Sequence, residues 1–349
     1  MRFITSPQSR TGVIRILSAC LGILTAVSLP WSLPTPVSAQ ITAPTVPVID
    51  GAMKSRLQTI LQNGQRLGNR PHVFAKIGDS ITESAGFLVD LGNPDYEPSN
   101  LGAYQSLAPT LVAFRQTTFS PANRFASAWF EVANSFSSYS PSAQSGWSVD
   151  NALSTAQLES RYASECPTPD QSPLRCELRR KKPSIAFILF GTNDLERVND
   201  VTAFRTQMTQ LVEQTISVGV IPVLSTIPAR RDSTSLNARV ETYNQAIVDI
   251  ANSNNIPLIH LWQALQPLPN NGLDGDGVHP STYRNDQASL LTAEGLRYGY
   301  NMRNLLTLQT LDKIKRIVID NQSAEGVVAP TPTPAPTTAP TPVPTPTPA

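Results

Sequence analysis

Three short strings, far apart in the chain, carry residue types that could act together as a nucleophilic site. They are Gly78-Asp79-Ser80, Gly191-Thr192-Asn193-Asp194 and Asp276-Gly277-Val278-His279. The first offers a hydroxyl nucleophile and the second a side-chain amide able to donate to an oxyanion. The third offers an imidazole base with a carboxylate three residues before it to orient the ring. Together these are the parts that serine-type acyl transfer needs.

Each string also has a plainer reading. A serine after a strand and at the start of a helix presents its own amide, and the helix N-terminus, to a developing anion. It can equally be no more than the N-cap of that helix. Gly-Thr-Asn-Asp is good turn chemistry in its own right. For the base, Asp276 is preferred to Asp274 as the partner of His279, because three residues on a tight loop let the carboxylate reach one ring nitrogen. The other histidines fit less well: His72 starts a strand well before Ser80, and His260 lies on a strand.

The elements that must position these residues alternate. Strand candidates are His72–Ile77, the almost wholly apolar Ser184–Phe190, Val220–Ser225 and Ile256–Leu261. Helical spacing marks Met53–Leu67, Val201–Val218, Leu236–Asn252 and a longer stretch, Ala288–Val318, expected to be bent or divided. Strands alternating with helices imply a parallel sheet covered on both faces, whose ligands gather at the carboxyl ends of the strands. Ser80 and Asn193 each follow such an end. The segment Ala85–Tyr139 has few clear strands and is expected to supply loops or helices over the site.

In this order, the three strings resemble blocks I, III and V of the SGNH hydrolases, the GDSL-type esterases and lipases, over roughly Val73 to Pro280. The resemblance implies an α/β chain: a three-layer α/β/α sandwich with a central parallel sheet, flavodoxin-like. It implies Ser80 as nucleophile, His279 as base, Asp276 as its partner and Asn193 as an oxyanion donor, with no metal or organic cofactor. The Ser80 amide would be a second donor. For the family's remaining block, the candidate is Ser145-Gly146-Trp147-Ser148, with Gly146 as the backbone donor; the usual context of that block is only partly present. Block I continues Ile81-Thr82 in place of leucine, which weakens any inference toward a true lipase. The Gly-x-Ser-x-Gly elbow of the α/β-hydrolases is absent, since Gly146-Trp147-Ser148-Val149 runs on to Asp150.

The two ends of the chain read differently from its middle. Arg2, Arg10 and Arg15, the apolar Ile16–Leu29 and the small residues Val37-Ser38-Ala39 make residues 1–39 a signal peptide by expectation. A lipidated Cys20 is the weaker alternative, because its apolar segment mostly follows it. Residues 40–49 form a lead-in, 50–322 the hydrolase domain and 323–349 a Pro/Thr-rich tail, with nine prolines from Ala329 onward. Removing the leader's three arginines from 27 basic residues leaves 24 against 26 acidic ones, a net charge of −2. That balance suggests neither nucleic acid nor an anionic membrane surface as a partner, and no stable membrane insertion is expected, because the leader's apolar run is short for a span. Cys166 and Cys176 would form a disulfide in an exported chain, in preference to a metal site. The run Arg179–Lys182 reads as the basic end of a short helix.

The expected protein is therefore secreted or held at the cell surface, and hydrolyses carboxylic esters. Short acyl or O-acetyl groups on carbohydrate are the leading substrates, and Trp147 is either a sugar-stacking ring or a ring packed in the core or lining an acyl pocket. A lipase, phospholipase or thioesterase on the same scaffold is one alternative. A non-catalytic surface display or binding module is the other.

Overall fold

The apolar runs become the middle layer of the structure. A computed structural model describes residues 44–119, 133–157, 166 and 171–326; the expected leader, Cys20 and most of the tail lie outside them. Four parallel strands, β1 (Arg70–Gly78), β2 (Pro183–Leu189), β3 (Ile221–Ser225) and β4 (Leu258–Ile259), pair in the order 1-2-3-4. Every residue of β2 and β3 is buried, as their almost wholly apolar sequences require of strands covered on both faces. A lone parallel bridge joins Gly78 to Ala143 beyond β1. A two-residue antiparallel ribbon pairs Thr118–Phe119 with Ala133–Asn134.

The helices follow from capping and from apolar spacing. Helix α1 (Gly51–Arg66) starts where the Asp50 carboxylate accepts from the Met53 amide at 2.8 Å, and it buries Leu57, Ile60 and Leu61. Helix α2 (Ser80–Glu83) is a single turn after β1. Helices α3 (Pro173–Lys181), α4 (Val201–Ser217) and α5 (Thr234–Asn254) precede β2, β3 and β4 respectively. A monotonic strand order with right-handed crossovers keeps these connecting helices on one face. Helix α1 and the last helix, α6 (Gly299–Lys313), cover the other. The outcome is the mixed α/β sandwich that the alternating pattern implies.

Two elements differ from expectation. Ile256–Leu261 shrinks to the two-residue edge strand β4, because a helix begins at Leu261 and the His260 amide turns to the Thr45 carbonyl at 3.0 Å. The helix expected from Ala288 begins only at Gly299. The Asn301 side chain donates to the carbonyls of Gln287 (2.7 Å) and Leu290 (2.9 Å), which holds residues 288–298 in turns. After Lys313 the helix loosens into a π-helical turn, Ile314–Ile319.

The basic run does close α3, with Lys182 left-handed at φ 47°. Lys181, however, is fully buried with Glu177 at 2.8 Å, so it is an interior ion pair and not a solvated cation. A disulfide joins Cys166 to Cys176, 10 residues apart, with Cα atoms separated by 5.6 Å. The packed body includes Ile49, fully buried, whose carbonyl accepts from the Glu325 amide at 2.9 Å. Among the described residues no helix is long and apolar enough to cross a membrane.

The centre of the core is aromatic. Phe74 of β1 meets Phe136 at 5.0 Å and Phe187 at 5.5 Å, both edge to face, and lies 6.0 Å from Phe114. Phe74→Ala should cost about 3–5 kcal/mol. Urea unfolding measures it, and a loss below about 1 kcal/mol would mean that the ring cluster collapses freely onto the gap.

Candidate active site

Strand β1 delivers Ser80 by ending abruptly. The Asp79 carboxylate accepts from the Ile81 amide at 2.9 Å, so Asp79 is the N-cap of α2 and Ser80 is its first residue. The plainer reading of Ser80 as the cap is thereby replaced. As the first residue of the helix, Ser80 has an amide without an intrahelical acceptor.

His279 reaches Ser80 from 199 residues away in sequence. Its Nε2 lies 2.8 Å from Ser80 Oγ, and its Nδ1 lies 2.6 Å from Asp276 Oδ2. The other carboxylate oxygen of Asp276 accepts from the amides of Val278 (2.9 Å) and His279 (3.0 Å). These bonds hold Asp276 below the usual carboxylate range, against the opposing effect of partial burial. Asp274 instead bonds the Gly275 amide, so Asp276 is the partner. Gly277 makes the loop possible. Its φ is 72°, and a Cβ there would lie 2.7 Å from the Asp232 amide nitrogen.

Asn193 and Gly146 lie on segments that bind each other. The Asn193 side chain donates to the Trp147 carbonyl at 2.9 Å, which commits one of its two N–H groups. The segment bearing Gly146 is fastened at both ends. The Gly78 amide donates to the Ser142 carbonyl, the Gln144 amide donates back to Gly78, and Ser145 donates through its amide and hydroxyl to Glu83 of α2 at 2.7 and 2.6 Å. Gly146 is left-handed at φ 76° and has no acceptor for its amide among the described residues. Trp147 is only 8% exposed and packs in the core, so it is not a sugar platform.

His72 and His260 stay apart from this cluster. His72 stacks edge-on against Phe114 at 5.5 Å, and burial lowers the pKa of both histidines.

Residues 77–283 match the GDSL-like lipase/acylhydrolase family. The chain belongs to that family. This acylhydrolase is similar in fold to a lipase/acylhydrolase of Enterococcus faecalis (15% identity, 70% of this chain, 95% of the other, TM-score 0.39). It is also similar to the acetylxylan esterase Axe2 of Geobacillus stearothermophilus (16%, 70% and 95%, TM-score 0.38). A GDSL-like lipase of Bacteroides thetaiotaomicron is a third such structure (15%, 74% and 98%, TM-score 0.39). No curated protein sequence matches the chain.

Beneath the acylhydrolase's surface site lies a set of buried charges that sequence reasoning missed. Asp79 and Asp194 are both fully buried. Burial pushes Asp79 up to about 6, opposed by its bond from Ile81, by Arg303 and His279, and by the Thr192 hydroxyl. Burial pushes Asp194 up to about 7, opposed by a bond from the Val149 amide and reinforced by Asp79. Arg303 of α6 donates to the Ile81 carbonyl (2.7 Å) and Thr82 Oγ1 (3.0 Å), lies 3.6 Å over the Phe87 ring, and so braces α2 from below. Arg230 grips Asp232 through two bonds (2.8 and 2.7 Å) and donates to the Thr192 carbonyl at 2.7 Å, which steadies the turn before Asn193.

The raised carboxyls set the sign of a pH effect. An acid whose folded pKa exceeds its unfolded value is protonated first in the folded state. Its stabilising contribution is full below the ordinary aspartate value of 3.8 and is lost as pH rises through about 6 for Asp79 and about 7 for Asp194. Asp194→Asn removes one of these acids. Its stability relative to wild type should therefore improve as pH is raised from about 4 to about 8. Urea midpoints across that range test this, and a constant difference would show that Asp194 does not titrate there.

Proposed function

We propose that the chain is an exported serine esterase that cleaves short acyl groups, O-acetyl above all, from carbohydrate through an acyl-enzyme. The observation that carries the reading is the continuous relay from Ser80 Oγ to His279 Nε2 and from His279 Nδ1 to Asp276, at 2.8 and 2.6 Å. Ser80 attacks the ester carbonyl while His279 takes its proton. Asp276 holds the ring and balances the imidazolium. The amides of Ser80 and Gly146 and the free N–H of Asn193 receive the oxyanion. His279 then protonates the departing alcohol, and water, activated by the same imidazole, releases the acid.

Three features support the finer reading. The side chains of His279 and Asp276 are 39% and 49% exposed, so a bulky alcohol can reach the relay at the surface. The basic and apolar leader with its small-residue end, and the Cys166–Cys176 bridge, favour an oxidising compartment outside the cytoplasm. The Pro/Thr-rich tail would extend from the domain as a spacer.

Hydrolysis of nitrophenyl esters of graded chain length tests the assignment. Ser80→Ala should abolish turnover, and Asp276→Asn should lower kcat by roughly 10⁴ through the wrong imidazole tautomer. Asn193→Ala should lower kcat by about 10²–10³ with little change in KM. Unchanged turnover in Ser80→Ala would remove the nucleophile assignment, and a preference for octanoate over acetate would remove the short-acyl reading.

A further inference from the structure

The turn that follows β2 carries a second polar side chain beside Asn193. Asn193 precedes a single helical turn, Asp194–Arg197, and the Arg197 amide donates to the Asn193 carbonyl at 2.9 Å. Residues four apart on such a turn share a face. The Asn193 side chain reaches the Trp147 carbonyl, and the Arg197 guanidinium reaches the residue before it. A Cβ placed on Gly146 would lie 3.4 Å from Arg197 Nη2, and no other atom beyond its chain neighbours would come within 4 Å. The space beside Gly146 is thus open, with a guanidinium at its edge.

The backbone under Arg197 is fixed, and its guanidinium has no acceptor. The Leu195 amide donates to the Gly191 carbonyl at 3.0 Å, Asp194 accepts from the Val149 amide at 3.0 Å, and Arg239 donates to the Leu195 carbonyl. Arg197 is exposed, and its side chain makes no hydrogen bond or ion pair with a described residue. The carboxylates on adjoining segments are turned to other groups. Glu83 holds Ser145 (2.7 and 2.6 Å), Asp150 accepts from the Ser148 hydroxyl (2.6 Å), and Asp200 accepts from the Thr202 amide (2.8 Å). Glu196 faces Arg230 at 3.8 Å, and Asp276 bonds His279 at 2.6 Å. Arg230, by contrast, is committed to Asp232 through two bonds.

We propose that Arg197 is a specificity-determining residue that binds a carboxylate on the alcohol half of the ester. The proposal rests on the esterase reading, in which Gly146 and Asn193 receive the oxyanion. A cation beside those two donors lies within reach of groups close to the scissile carbonyl. A guanidinium can take a carboxylate through two parallel N–H···O bonds. An acetyl group has no place for a charge, so the anion belongs to the alcohol. Where that alcohol is a sugar, it is a uronic acid. A neutral alcohol gains nothing from this guanidinium, and a cationic one is repelled.

The test compares meta- and para-acetoxybenzoate with the matching acetoxybenzamides, pairs that share the acetyl group and differ by one charge. The readout is the ratio of kcat/KM for acid over amide, compared between full-length wild type and variants so that intrinsic ester reactivity cancels. Arg197→Gln should lower that ratio about fivefold, equivalent to ~1 kcal/mol, for at least one isomer. Arg197→Glu should lower it about tenfold or more, because like charges then meet, and Arg197→Lys should restore part of it. A ratio unchanged in Arg197→Glu for both isomers overturns the proposal. Mono-nitrophenyl adipate against nitrophenyl hexanoate probes the acid half in the same way. A ratio that moves only for this second pair overturns the assignment to the alcohol. Calorimetry on Ser80→Ala, with and without Arg197→Glu, reads the same contact without turnover. The acid should bind more tightly than the amide only where Arg197 is present, and equal binding overturns the contact. A wild type inactive on every ester overturns the esterase reading, and the calorimetry then decides the contact by itself.

Discussion

Strand β1 cannot run past Gly78, and the arrangement of the site depends on that stop. Gly78 pairs with Leu189 on one side and exchanges backbone bonds with Ser142 and Gln144 on the other. A Cβ at this position would lie 2.5 Å from the Leu189 carbonyl oxygen, so only glycine lets the three segments close together. The Asp79 cap then turns the chain into α2, with Ser80 at its first position and Glu83 facing back to hold Ser145. One crowded point thus sets Ser80 and the segment bearing Gly146 in a common frame.

The layer under that point is charged, which is costly unless each charge is held. Arg303 answers the carbonyl of Ile81 and the ring of Phe87, and Arg230 answers Asp232 and Thr192. Asp79 and Asp194 keep one oxygen each without a hydrogen-bond partner, and both respond by holding their protons more tightly. Two of the groups beneath Ser80 thus have raised pKa values, while the residues above are organised by fixed backbone donors. Asp79 belongs to both layers, as the cap of α2 and as a buried acid.

The residues that do the proposed chemistry were legible because each follows an apolar strand or sits on a tight turn, and those are local patterns. Ser80, Asn193, Asp276 and His279 could be placed in order along the chain from breakers and periodicity. Their supports could not. Arg303 lies in a helical stretch where an arginine ordinarily faces solvent, and only its packing on Phe87 and Ile81 reveals its role. Glu83 and Arg230 act across 62 and 38 residues of sequence, through contacts that no window contains. The late start of α6 has the same origin, because Asn301 holds residues 288–298 in turns from within the helix that periodicity extends over them. Trp147 was an open choice between sugar and core, and its burial decides for the core.

The relay itself is not a buried device. With the side chains of Asp276 and His279 39–49% exposed, water screens their attraction, and a charge pair in that setting contributes little by itself. What fixes it is geometry imposed from the backbone. Two amides grip one oxygen of Asp276 and leave the other aimed at Nδ1, and Gly277 holds the loop in a left-handed conformation pressed against Asp232. The Arg231 amide bonds the Gly277 carbonyl, which ties this loop to the Arg230–Asp232 pair and through it to the turn of Asn193. His279 and Asn193 are therefore joined by one connected set of backbone and side-chain bonds. Exposure then has little effect on orientation and leaves the relay open to the surface.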